Sequence, residues 1–225
     1  MTHLQSRSIL DKELSKMRED ILRLASMTDI AIEKAMKALE TRDVALAEEV
    51  IAADEEINTL RFEIEKEALR TLATQQPAAI DLRMTIVGIH LAIELERIGD
   101  HASGIAGLVA RMQDEDIITS LHKLPKMASR ARKMIQQGIQ AFVDKDVELA
   151  KAVFHRDDKL DRHYNNLVQI LFEAMQDGTY IRRATFLLWT GHNLERIGDR
   201  ATNIAERVIF MVTGKFIEFM DELEE

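Results

Sequence analysis

The chain has 225 residues, no cysteine, two prolines, nine glycines and a net charge of −9. That length allows one large domain or two small ones, each able to bury a core. The missing thiols exclude disulfides, thiolate metal sites and cysteine nucleophiles, and the acidic balance disfavours non-specific binding to DNA or anionic lipid.

Ala, Leu, Glu, Lys, Arg and Met dominate, all good helix formers. The predicted fold class is all-α. Apolar periodicity sets a first helix from about Ile9 to Leu39. Thr41-Arg42-Asp43 breaks it, and Asp43 is placed to cap a second helix that runs to about Ala73. Gln75-Gln76-Pro77 breaks the chain again, with Pro77 suited to the start of a third helix that ends near Met112. The plan then repeats. Pro125 lies near the start of a fourth helix, Asp144-Lys145-Asp146 makes one turn, Asp177-Gly178-Thr179 the next, and Gly214 suits a helix end.

The repetition is literal in places. Glu96-Arg97-Ile98-Gly99-Asp100 recurs as Glu195-Arg196-Ile197-Gly198-Asp199, followed by Ala102/Ala201, Ile105/Ile204 and Ala106/Ala205. Upstream, Asp43-Val44, Leu46-Ala47, Val50 and Asp54 align with Asp146-Val147, Leu149-Ala150, Val153 and Asp157. The chain therefore reads as a duplication, residues 1–115 and 116–225, each half an antiparallel three-helix bundle. Two such bundles in tandem make an elongated molecule. Val50, Ile57, Leu60 and Ile64 form one predicted core face, Val153, Leu160, Leu167 and Leu171 its counterpart. Leu91, Leu95, Ile98, Ala102, Ile105 and Val109 form the stripe of the third helix. Met17, Met27, Met36, Met127 and Met134 read as core filler.

The repeated segment sets Glu96 four residues before Asp100, and Glu195 four before Asp199. Like charges at this spacing share a helix face and repel by a few tenths of a kcal/mol. A bound cation would reverse that sign. Asp54 and Asp157 on the second helices offer further carboxylates, and a thiolate-free oxygen set selects Mg²⁺, Mn²⁺ or iron. The plainer reading is a solvated face, with Arg97 and Arg196 supplying local ion pairs. The mid-helix Gly99 and Gly198 imply close packing. His192, one turn before Glu195, reads as packing sooner than ligation, as does His90. The acidic end, Asp221 to Glu225, reads as a solvated tail.

Several activities lack their marks. The sequence has no G-x-x-x-x-G-K-[ST] phosphate loop, no H-E-x-x-H and no Glu-x-x-His pair. No helix-turn-helix with a basic recognition helix is visible, so no direct nucleic-acid contact is expected. No apolar run approaches the ~20 residues of a membrane span, and Met1 to Leu10 lacks a secretory apolar core.

The doubled Glu-Arg-Ile-Gly-Asp segments, continuing as His101-Ala102-Ser103-Gly104-Ile105-Ala106 and Arg200-Ala201-Thr202-Asn203-Ile204-Ala205-Glu206, resemble the duplicated signature of the PhoU family over essentially the whole chain. The resemblance implies a cytoplasmic, non-enzymatic negative regulator of phosphate uptake and phosphate-starvation signalling. It implies partnership with the ATPase subunit of the phosphate ABC transporter and with a phosphate-sensing histidine kinase, membrane contact only through proteins, and a homodimer. It also implies a multinuclear metal cluster in each bundle, carried over onto Glu96 and Asp100 and onto Glu195 and Asp199. Asn203 and Glu206 match the family's ending and are expected to add an amide oxygen and a third carboxylate to the second-half site, where the first half has Gly104 and Gly107. The second-half site is therefore expected to bind metal more tightly. The competing reading is a carboxylate-bridged metal hydrolase or oxidase, which needs a base beside the acids. No recurrent His or Lys stands there.

Overall fold

A computed structural model describes residues 3–112, 121 and 123–216, with side chains from residue 7 onward. Six long helices carry the fold: α1 His3–Thr41, α2 Val44–Gln75, α3 Ala79–Arg111, α4 Leu124–Asp144, α5 Val147–Ala174 and α6 Ile181–Thr213. One 3₁₀ turn, Gly178–Tyr180, precedes α6, and there is no strand among the described residues. The expected division at residues 115/116 and the acidic tail lie outside the described residues.

The turns follow from local chemistry, and both halves solve them alike. Asp43 accepts a hydrogen bond from the Leu46 amide at 3.0 Å, and Asp146 accepts from the Leu149 amide at 2.9 Å. Each satisfies an amide that the first helical turn leaves without a partner. The residue before each cap is left-handed, Arg42 at φ 55° and Lys145 at φ 55°. Gly214 ends α6 at φ 75°, where a residue without Cβ pays no steric penalty. Pro77 differs from expectation. Helix α3 starts at Ala79 with Ala78 at its cap, so Pro77 closes the preceding loop.

The predicted core stripes are buried. Leu91, Leu95, Ile98, Ala102 and Ile105 are fully buried on α3, as are Val153, Leu160 and Leu167 on α5. Buried hydroxyls are satisfied within their own helices: Thr28 donates to the Ala25 carbonyl, Thr85 to Asp81 and Thr190 to Phe186.

The bundles lie side by side, because α3 packs along α6 and α1 meets α4. The α3–α6 contact repeats itself about a local pseudo-twofold axis. Arg200 reaches Glu94 at 3.4 Å, and His101, its equivalent, reaches Asn193, the equivalent of Glu94, at 3.0 Å. Arg83 donates to the Met211 carbonyl, and its equivalent Arg182 donates to the Arg111 carbonyl. Helix α1 is pinned to α4 by a two-pronged pair, Arg132 to both oxygens of Asp29 at 2.7 Å, with Glu33 at 3.0 Å. Planar forks of this kind fix relative orientation as well as contributing energy.

Candidate metal centre

Each bundle has a cleft where the second helix approaches the third, and glycine permits the approach. A Cβ on Gly99 would stand 3.1 Å from Ile57 Cδ1 and 3.3 Å from Asp54 Oδ1. A Cβ on Gly198 would collide with Leu160 Cδ2 and stand 3.2 Å from Asp157 Oδ1. The glycines thus bring Asp54 and Asp157 beside the third helices, where Glu96 and Glu195 lie one turn before Asp100 and Asp199. Replacing Gly198 by Ala should destabilise the fold by up to about 2 kcal/mol. Overpacking costs ~1–3 kcal/mol, against ~1 kcal/mol gained in helix propensity. Gly107, with nothing within 4 Å, should gain up to ~1 kcal/mol on the same change. Denaturant titration of the two variants checks the contrast.

The clefts share an electrostatic problem. Asp54 Oδ1, Glu96 Oε2, Asp157 Oδ1 and Glu195 Oε2 are all buried without a hydrogen-bond partner. Buried carboxylate oxygens without a hydrogen bond are rare and costly; the two glutamate oxygens have ion-pair contacts with Arg97 and Arg196 at 3.6 and 3.3 Å, which leaves the equivalent Asp54 and Asp157 oxygens the least compensated. Burial, and then Asp100, push the Asp54 carboxyl upward, while Asn58 opposes. Burial and Asp100 raise Glu96 against the opposing fields of Arg97 and Arg61. In the second half burial raises Glu195, with Asp199 adding and Arg196 and His192 opposing. Asp157 is pushed up to about 7 by burial, then by Asp161, Asp199, Asp158 and Glu195.

Asp161 is the residue that sequence comparison passed over. It lies four residues after Asp157, as Asn58 lies four after Asp54. Asn58 donates to Asp54 Oδ2 at 3.2 Å, whereas Asp161 adds a negative charge and is itself raised by burial and by Asp199. Arg61, which leans its field on Glu96, is replaced in the second half by Tyr164 beside Glu195. The second cleft therefore gains one carboxylate, Asp161; Arg61 is itself paired with Glu65 at 3.2 Å, and Val168 stands at the Glu65 position, so the loss of that pair is close to neutral. The signal was present in the sequence: Asp157 and Asp161 have the same i, i+4 spacing as Glu195 and Asp199.

Not every expected residue joins a cleft. Asn203 lies toward α3 and donates to Glu94 at 3.2 Å. Its equivalent Gly104 faces Asn193, where a Cβ would stand 3.2 Å from the amide oxygen. The Asn203/Gly104 difference belongs to the seam between the bundles. Glu206 is exposed, one to two turns beyond Asp199 on α6. His192 Nδ1 is 3.7 Å from Glu195 Oε2, with a half-exposed ring.

As the side chains stand, no three His, Asp or Glu groups among the described residues are gathered closely enough to hold an ion. The geometry says why. Asp100 Oδ2 is turned to Arg97 at 3.2 Å and Asp199 Oδ2 to Arg196 at 3.1 Å. These pairs are half-exposed, so their net value is small, about 0–1 kcal/mol, and a rotamer change would free both acids. The oxygen-only donor set fits a hard divalent or trivalent cation in chemistry, although Arg196 Nε also lies 3.3 Å from Glu195 Oε2 and Arg97 Nε 3.6 Å from Glu96 Oε2. Arginine occupies the remaining acid in each cleft.

Known proteins resemble this chain over nearly its whole length. The sequence model of the PhoU domain matches twice, over residues 21–109 and 124–208, one match in each bundle. A Clostridium acetobutylicum protein named phosphate-specific transport system accessory protein PhoU homolog is 34% identical over 218 residues, covering 96% of this chain and 100% of that protein. Its Pseudomonas aeruginosa counterpart is 35% identical over 216 residues, covering 95% of this chain and 89% of that protein. The crystal structure of PhoU from Pseudomonas aeruginosa superposes with a TM-score of 0.86 over 91% of this chain and 99% of that one, at 35% identity. The phosphate transport system regulatory protein PhoU from Streptococcus pneumoniae does so at 0.86 over 92% and 99%, at 29% identity. With both bundles matched and relatives above 30% identity along nearly its whole length, the chain belongs to the PhoU family.

Proposed function

We propose that this protein restrains phosphate uptake, acting on the phosphate-specific transporter from its cytoplasmic side and passing phosphate status to a sensor histidine kinase. The carrying observation is family membership across both bundles, with relatives named as accessory proteins of the phosphate-specific transport system. Among the described residues no helix is long and apolar enough to cross a membrane, which accords with contact through the transporter's ATPase subunit.

The proposal includes cation loading of the clefts. Asp54, Glu96 and Asp100 would hold the ion in the first bundle, and Asp157, Asp161, Glu195 and Asp199 in the second, with iron, Mn²⁺ or Mg²⁺ as candidates. The ion would supply positive charge that offsets the clustered carboxylates and ties the second helix of each bundle to the third. The chain's own part is to hold the acids close together, with Gly99 and Gly198 allowing the approach; because burial and mutual repulsion raise these carboxyls, loading would release protons. Arg97 and Arg196 hold the outer acids until an ion takes them. We assign no catalytic residue: the relatives are named as accessory or regulatory proteins, and His192 beside Glu195 has no counterpart in the first bundle, where Ile93 stands. Sustained phosphatase or oxidase turnover by the metal-loaded protein would overturn that assignment.

The experiment is affinity capture from cells grown at high and low phosphate, with light scattering on the purified chain. The transporter's ATPase subunit and the histidine kinase should be recovered, more of each at high phosphate, and the chain should run as a homodimer. Recovery of neither partner under either condition would contradict the reading.

A further inference from the structure

Helix α5 carries opposite charge on its two flanks. Asp157 and Asp161 face the α6 side, while Arg156 and His163 face α4. On that second flank lies a groove of about 410 Å³, lined by Pro125, Lys126, Ser129, Arg130 and Lys133 of α4 and Arg156 of α5. The fields of Lys123, Lys126 and Arg130 reach His163 across it. In a protein of net charge −9, this is a concentrated cationic row with no acid lining it among the described residues. Lys126, Arg130 and Lys133 make no ion pair among the described residues, and Arg130 Nε is buried without a hydrogen-bond partner. Arg156 is held by the neutral Gln137 through a single hydrogen bond. By contrast Arg132 meets Asp29 and Arg200 meets Glu94 at other helix contacts.

Cations held together with no counter-charge repel one another, and a multivalent anion removes that cost. The lining narrows its class. Pro125 is the one apolar residue, so the groove lacks the buried anchors that hold a protein partner. It has no aromatic platform on which a base could stack, and a long nucleic acid would meet the protein's overall negative charge. Lys126 to Lys133 spans about 10 Å of helix at 1.5 Å per residue. Two guanidinium forks, point-charged ammonium groups and the Ser129 hydroxyl are the donors that phosphoryl oxygens use.

We propose that the α4–α5 groove binds a short chain of phosphoryl groups, either free inorganic oligophosphate or the phosphate tail of a nucleotide. The groove stands on its own residues and does not depend on cation loading of the acidic clefts or on any role in uptake.

The test is calorimetric titration of the full chain, in EDTA, with sodium tripolyphosphate, ATP and, as a charge control, a short oligoglutamate peptide. Saturable one-to-one binding of tripolyphosphate is expected, weakened at least tenfold by Lys126→Gln/Lys133→Gln. Both lysines are exposed, so the fold should be unaffected. Arg130→Gln should weaken it further, while Lys66→Gln/Lys215→Gln, an equal charge change outside the groove, should leave it within about twofold. ATP binding as tight as tripolyphosphate assigns a nucleotide tail, and ATP binding at least tenfold weaker assigns the inorganic chain; either supports the proposal. No saturable tripolyphosphate binding, equal loss in the control variant, or oligoglutamate binding as tightly would overturn it. Unchanged Mn²⁺ binding by the Lys126→Gln/Lys133→Gln variant in chelator-free buffer would separate this site from the acidic clefts.

Discussion

Asp161→Asn is expected to weaken Mn²⁺ binding in the second bundle by about ten- to a hundredfold, while the first bundle's affinity stays unchanged. The change converts the second cleft toward the first, where Asn58 already stands and donates to Asp54. Unit charges 4 Å apart interact by ~4 kcal/mol at an effective dielectric of 20. A partly hydrated cleft keeps only a fraction of that, and each ~1.4 kcal/mol is a factor of ten in affinity. For the same reason Asp199→Ala should lower metal stoichiometry more than Asp100→Ala, with the fold intact in both, since neither acid lies on the buried stripe of its helix. Calorimetric Mn²⁺ titration of these variants reads the difference; equal losses in the two bundles would remove the asymmetry.

The metal-free protein should gain stability as the pH falls from about 8 to about 5. Asp157 has a folded-state value of about 7 against an ordinary 3.8, so the folded state binds its proton more tightly than the unfolded chain does. For a carboxyl raised on folding, the destabilisation is complete above the folded value. It disappears as pH falls toward the unfolded one. Asp54, Glu96, Asp161 and Glu195 are raised as well and add in the same sense. The full shift at Asp157 would correspond to ~4 kcal/mol at 1.36 kcal/mol per unit. Its side chain is partly solvated, and with screening about 1–2 kcal/mol is the reasonable expectation. Asp157→Asn in EDTA at pH 8 should then raise the melting temperature by roughly 2–6 °C and flatten the profile between pH 5 and 8. Mn²⁺ should stabilise the parent and have little effect on this variant at the second cleft. A parent melting temperature that falls steadily from pH 8 to 5 would refute the assignment.

The repeat, the helix plan and the core stripes were legible because each rests on local rules. Caps need Asp43 and Asp146, and a buried face needs apolar residues at helical spacing. The pairing of Asp54 with Glu96 and of Asp157 with Glu195 was legible in part, through duplication. What the sequence did not show was which neighbour each helix face meets. Asn203 looked like a ligand because it follows Asp199 by four residues. A helix has several flanks, though, and α3 packs on the one that Asn203 occupies. Asp161 was passed over because its equivalent is Asn58, so a search for repeated residues discarded it. Pro77 was placed inside α3 by the preference of proline for the first helical turn, whereas the chain uses it to close the loop before Ala78.

Uptake of labelled phosphate by cells with and without this chain, at high external phosphate, tests the regulatory reading most directly. Cells lacking the chain should take up phosphate at the rate of starved cells, and restoring the parent sequence should bring uptake down severalfold. Identical uptake with and without the chain, at both high and low phosphate, would contradict the account.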